Sequence, residues 1–155
     1  MTLHPGEPVP DFAIVDEHGQ DVRLRDALAR RPVLLVFFPW AFSRICGSEL
    51  AELRDRVGEL TALGVELLAV STDPFFSLRA WAEQERFGFR LLSDFWPHGE
   101  VARAYGVFHD ELGVATRGTF LIGQDSLLRW SVVAGIGDSR SVDDYVGAVR
   151  AQGGH

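Results

Sequence analysis

Lysine is absent from the 155-residue chain: all fifteen basic residues are arginines, and twenty-two acidic residues outweigh them to a formal charge of −7. No basic cluster forms, which disfavours a nucleic-acid partner, because phosphate binding needs a positive face. The missing lysine is a codon-usage mark of a GC-rich genome and carries no mechanism. Long apolar runs are lacking too. The longest ends near Phe42, far short of the roughly 20 residues of a membrane span. Met1 to Pro10 has neither the basic nor the apolar region of a secretory signal. Cysteine occurs once, so an intramolecular disulfide and a C-x-x-C redox pair are both excluded, and a reducing cytoplasm is the expected location. There is no internal repeat and no low-complexity segment. What remains is 46% hydrophobic, enough for one domain over residues 1–155 with a proper core and too little for two of ordinary size.

The single cysteine lies in the stretch around which the chain is organised, Val33 to Leu50. Val33 to Phe38 is a continuous apolar run, as expected of a strand covered on both faces, and Pro39 ends it. Ser43 is an expected helix N-cap, after which Leu50, Leu53, Val57 and Leu60 recur at steps of three and four. Cys46 then falls in the helix's first turn, where unpaired N–H groups and the positive end of the helix dipole favour the thiolate, the nucleophilic form. An inert cysteine filling the core is the competing reading, since free cysteine is among the most buried residue types.

On either side the pattern alternates. Residues 12 to 24 form two short strands around a polar turn at Asp16 to Gly19, and Asp26 to Arg30 add one helical turn. Val65 to Ser71 is a second core strand, followed by a helix with Asp73 as cap and Pro74 at its first position, carrying Phe75, Leu78, Ala82 and Phe87 to a stop at Gly88. Phe89 to Asp94 is extended, and Glu100 to Tyr105 is a brief helix ended by Gly106. Val114 to Ile122 and Leu127 to Val133 make a hairpin, Gly135 to Gly137 is a loop, and Ser141 to Asp144 open a last helix. Such alternation predicts an α/β domain with a parallel core and right-handed crossovers. His98 and His109 lack metal-ligand spacing, so neither a metal nor a cofactor is expected.

Pro39, Phe42, Ser43 and Cys46 stand in the order P-x-x-F-S-x-x-C, with Glu49 three residues on and Arg117 downstream in Thr-Arg-Gly-Thr-Phe. This resembles the peroxiredoxin family, whose site pattern is P-x-x-x-(T/S)-x-x-C plus a distant arginine. The likeness runs from Pro8-x-Pro10-Asp11-Phe12 through Leu91 to Asp94 and Tyr105 to Val107 to Phe120. Phe37-Phe38-Pro39, Ser93 to Gly99 and Arg117 to Phe120 resemble its one-cysteine alkyl hydroperoxide reductase E subgroup of actinobacteria. The resemblance implies a thioredoxin-like fold, a central mixed sheet flanked by helices with an N-terminal β-hairpin. It implies a peroxidase that reduces hydrogen peroxide and organic hydroperoxides, with Cys46 as peroxidatic thiolate, Ser43 as hydroxyl donor, Arg117 as guanidinium partner, Pro39 as shield and Glu49 orienting Arg117. A homodimer and an external thiol reductant are also implied, of the mycothiol and mycoredoxin type or the thioredoxin type. Ser43 stands where threonine is more usual, and Trp40 is large for its place beside the site.

Two other classes remain. A cysteine hydrolase or transferase needs a histidine base near Cys46, and none of the five histidines has a context that puts one there. A redox-inert thioredoxin-fold binding module leaves Cys46 as core. For Trp40, Phe42, Phe95 and Trp96 three places stay open: a peroxide pocket, a dimer contact and ordinary core.

Overall fold

The computed structural model describes residues 3–138 and 140–153. It opens with the hairpin β1 (Ala13–Asp16) and β2 (Asp21–Arg23), then α1 (Leu24–Arg30), β3 (Val33–Phe37), α2 (Arg44–Ala62), β4 (Glu66–Ser71), α3 (Phe75–Glu85), β5 (Arg90–Ser93) and α4 (Glu100–Ala104). A small pair, β6 (Phe108–His109) and β7 (Val114–Ala115), precedes the hairpin β8 (Arg117–Ile122) and β9 (Leu128–Ala134), and α5 (Val142–Gly153) closes the chain. Seven strands form one sheet in the order β2-β1-β5-β4-β3-β8-β9. β3, β4 and β5 are parallel, and the hairpins on either side join antiparallel, so the sheet is mixed.

The apolar run of β3 follows from its central position. Leu35 and Phe37 face one layer, where they meet Leu24 and Leu28 of α1, Val101 and Ala102 of α4, and Tyr105. Leu34 and Val36 face the other, where they meet Leu50, Leu53 and Leu60 of α2, Leu78 and Trp81 of α3, and Val146 and Val149 of α5. Alternate side chains point to opposite faces of a strand, so one covered on both sides is apolar throughout. Cys46 belongs to the second layer.

Five local expectations need correction. α1 begins at Leu24, so it is longer than the turn expected from Asp26. Asp73 does not cap α3, whose N-cap is Pro74 without a side-chain bond, and α3 ends at Glu85, where Arg86 takes a left-handed conformation before Gly88 is reached. Thr116 divides the expected strand from Val114, because its N–H turns to the carbonyl of Val107 at 2.7 Å. Phe38 lies past the end of β3 but still donates to Val70 O at 2.9 Å.

Candidate active site

The C-terminal ends of β3, β4 and β5 lie side by side, and the loops leaving them carry the site. β3 hands over to residues 38 to 43, which include the buried Pro39. Phe42 has φ 65°, a left-handed conformation that costs a side-chain-bearing residue on the order of 1 kcal/mol. Its ring lies 5.9 Å from that of Trp81. Ser43 then caps α2 as its sequence position predicts: the Cys46 N–H donates to Ser43 Oγ at 3.3 Å. The Ser43 hydroxyl proton is thereby turned away from the backbone and is free to donate elsewhere. Cys46 itself is 0% exposed.

Glu49 sits three residues after Cys46, and side chains so spaced share one face of a helix. On that face Arg117, the first residue of β8, donates from one terminal nitrogen to Glu49 Oε1 at 2.5 Å and from Nε to Ile136 O at 2.6 Å. Its other terminal nitrogen has no protein partner among the described residues. Sequence reasoning missed a second guanidinium here. Arg140 grips both oxygens of the same carboxylate, through its N–H (2.6 Å) and Nε (3.1 Å) to Oε2 and a terminal nitrogen (3.0 Å) to Oε1. The remaining nitrogen of Arg140 donates to Gly118 O and Thr119 Oγ1, both at 3.0 Å, and Thr119 Oγ1 continues to Tyr145 Oη at 2.9 Å. Burial lifts the Tyr145 hydroxyl above the ordinary tyrosine range, so it stays protonated and able to donate.

Glu49, Arg117 and Arg140 are all buried. Two guanidinium groups face one carboxylate, which leaves one positive charge unbalanced on the α2 face that carries Cys46. Buried charge needs a partner, so this face is suited to an anion.

Of the other expected residues, Trp40, Phe42, Phe95 and Trp96 are not core: they are 38%, 52%, 47% and 80% exposed. Phe95 and Trp96 line a groove of about 390 Å³ with Ile14, Pro74, Phe75 and Phe76, on the β1 side of the sheet. His98 binds Gly113 O through Nε2 (2.6 Å), and His109 Nδ1 accepts from the Leu112 N–H (3.1 Å). Both are occupied in loop closure. Among the described residues, no group of three or more His, Cys, Asp or Glu side chains is gathered as for a metal ion, and no helix is long and apolar enough to cross a membrane.

A mixed sheet with a lone cysteine at a capped helix start, on the helix whose Glu49 holds a buried arginine pair, points to a class of thiol-dependent oxidoreductases. The comparisons agree. Residues 5–131 match the AhpC/TSA family. Alkyl hydroperoxide reductase E of Mycobacterium tuberculosis is 42% identical over 96% of this chain and 97% of its own length. Among solved structures, peroxidoxin BcpB of Mycobacterium tuberculosis is similar at TM-score 0.87 and 30% identity, covering 96% of this chain and 97% of that one. AhpC of Enterococcus faecalis is similar at TM-score 0.89 and 25% identity, covering 98% and 93%. The chain belongs to the AhpC/TSA family of peroxiredoxins. It is a thiol peroxidase of the one-cysteine type.

Proposed function

We propose that Cys46 is the peroxidatic residue of a cytoplasmic enzyme, a single thioredoxin-like domain, that reduces hydrogen peroxide and organic hydroperoxides in antioxidant defence. The Cys46 thiolate attacks the terminal oxygen of the hydroperoxide, the S–O bond forms as the O–O bond breaks, and the leaving oxygen departs as alkoxide or hydroxide. It takes up a proton to become alcohol or water, and Cys46 is left as sulfenic acid.

Ionising the thiol is the smaller part of this. A free cysteine with a pKa of about 8.5 is already roughly one-tenth thiolate near neutral pH, so full ionisation gains only about tenfold. The rest comes from donors aimed at the oxygens as charge moves onto the leaving one, each worth on the order of a hundredfold. The free terminal nitrogen of Arg117 and the Ser43 hydroxyl are those donors, Pro39 limits water, and Glu49 with Arg140 fixes the Arg117 fork. The observation that carries the reading is the buried Glu49 carboxylate shared by two arginines one turn beyond Cys46.

With no second cysteine in the chain, the sulfenic acid is released by an external thiol through a mixed disulfide. Mycothiol with mycoredoxin, or a thioredoxin, fits that chemistry. Two copies form a homodimer, and the exposed aromatics Trp40, Phe42, Phe95 and Trp96 support that face as the contact. Peroxide consumption with a supplied thiol tests the activity. Wild type is expected to consume both hydrogen peroxide and a fatty-acid hydroperoxide, and Cys46→Ser neither; wild type with no turnover would favour the inert binding module.

A further inference from the structure

We propose that Asp73, a residue outside the peroxidatic motif, is a positioning residue: it latches the 38–43 loop shut over Cys46 and so sets how Cys46 divides between peroxide and bulkier thiol reagents. Asp73 Oδ2 accepts two hydrogen bonds, from the Ala41 N–H at 2.9 Å and the Ser71 hydroxyl at 2.7 Å. The Ser71 hydroxyl oxygen accepts the Asp73 N–H in return at 3.2 Å, and Ser93 Oγ donates to the Asp73 carbonyl at 2.7 Å. The Asp94 N–H donates to Ser71 O at 2.8 Å. Asp73 is thus fixed to the ends of β4 and β5, and its carboxylate reaches across to the loop that leaves β3.

What it holds there is a loop under strain. Ala41 is pinned, the next residue, Phe42, has φ 65°, and the one after, Ser43, caps the Cys46 N–H. A backbone in an unfavourable conformation persists only where its surroundings over-determine it. The Asp73 carboxylate reaches that segment from outside it, 32 residues along the chain, while the other end of the loop is held by the Phe38 N–H to Val70 O. With the latch closed, Cys46 is fully buried, suited to a small peroxide and closed to a large thiol. With the latch released, the Phe42 strain relaxes, Ser43 leaves its capping position, and the donors around the sulfur lose their aim.

The inference rests on Cys46 being peroxidatic, and the two reactions of Cys46 separate its failure from that of the parent reading. Oxidation by hydrogen peroxide is followed by intact mass or tryptophan fluorescence. Thiol–disulfide exchange is followed with an aromatic disulfide reagent in the absence of peroxide, the Cys46 thiolate forming a mixed disulfide as the aromatic thiolate leaves. In Asp73→Ala, peroxide oxidation is expected to slow by about tenfold or more. The exchange rate is expected to rise by roughly tenfold, the worth of one charge-assisted hydrogen bond in an opening equilibrium. Asp73→Asn, which keeps an acceptor oxygen for Ala41, should return both rates toward wild type. Ser71→Ala removes one partner of the carboxylate from a fully buried site without changing its volume much, and should move both rates in the same opposed sense, by less. General destabilisation also exposes Cys46, but it lowers the thermal unfolding midpoint in step with the reagent rate and is not rescued by asparagine. Unchanged rates in Asp73→Ala overturn the latch, as does a rise or fall of both together; if Asp73→Ala fails to fold, wild-type rates in Ser71→Ala overturn it. A wild type that does not react with peroxide at all overturns the parent reading instead.

Discussion

Arg117 commits two of its three nitrogens to the protein, one to Glu49 and one to Ile136 O, and the third has no protein partner among the described residues. That division requires a planar fork with donors at fixed angles, which a lysine ammonium on a flexible stem does not reproduce. Arg117→Lys is therefore expected to slow Cys46 oxidation nearly as much as Arg117→Ala, each by on the order of a hundredfold, in rapid-mixing kinetics with hydrogen peroxide. A wild-type rate in the lysine variant would mean that charge alone suffices. The Glu49–Arg117 pair was legible, because the pattern names a distant arginine and Glu49 stands three residues after Cys46 on the same helix. Arg140 was not. It follows the Gly135 to Gly137 loop, where no periodicity operates, and it reaches Glu49 from 91 residues away; the packing of α5 against α2 brings the two together. Asp73 was visible as a residue but misjudged. An aspartate before Pro-Phe-Phe reads as a helix cap, and nothing local reveals that its carboxylate turns back to Ala41.

At the scale of elements the strand and helix that carry Cys46 were readable, since a continuous apolar run and a serine followed by three- and four-residue spacing both report burial directly. The loops at the strand ends were less so. Phe95 to Gly99 is shaped by the Asp94 carboxylate, which accepts the Val101 N–H at 3.0 Å and the Ala102 N–H at 2.9 Å and so anchors the start of α4 from across the loop. Burial pushes the Asp94 carboxyl up from 3.8 to about 6, against the opposing pull of those two N–H groups. The folded protein therefore holds this proton more tightly than the unfolded chain. The stability linked to it is fully present below about pH 4 and is lost as pH rises through about 6. Thermal unfolding of wild type against Asp94→Asn reads this out: wild type is expected to lose ground to the variant between about pH 4 and 6 and to run parallel above. Wild type that instead gains on the variant as pH rises from about 4 to 6 would show that the folded state prefers the ionised carboxylate.

For the whole molecule, the sheet order follows from a βαβ core extended by an antiparallel hairpin at each side, and the sequence alternation anticipated that arrangement. The exposed aromatics were beyond it, because Trp40, Phe95 and Trp96 interrupt no periodic pattern and their exposure is decided by loop course. The proposed chemistry turns on one buried sulfur, Cys46, with no second thiol in the chain to capture its product. The most direct measurement is the intact mass of the reduced protein after one equivalent of hydrogen peroxide, beside a non-reducing denaturing gel. The expected result is rapid gain of one oxygen atom by the monomer, absent in Cys46→Ser and removed by an added thiol. Wild-type protein of unchanged mass, or an oxygen gained equally by Cys46→Ser, would contradict the account.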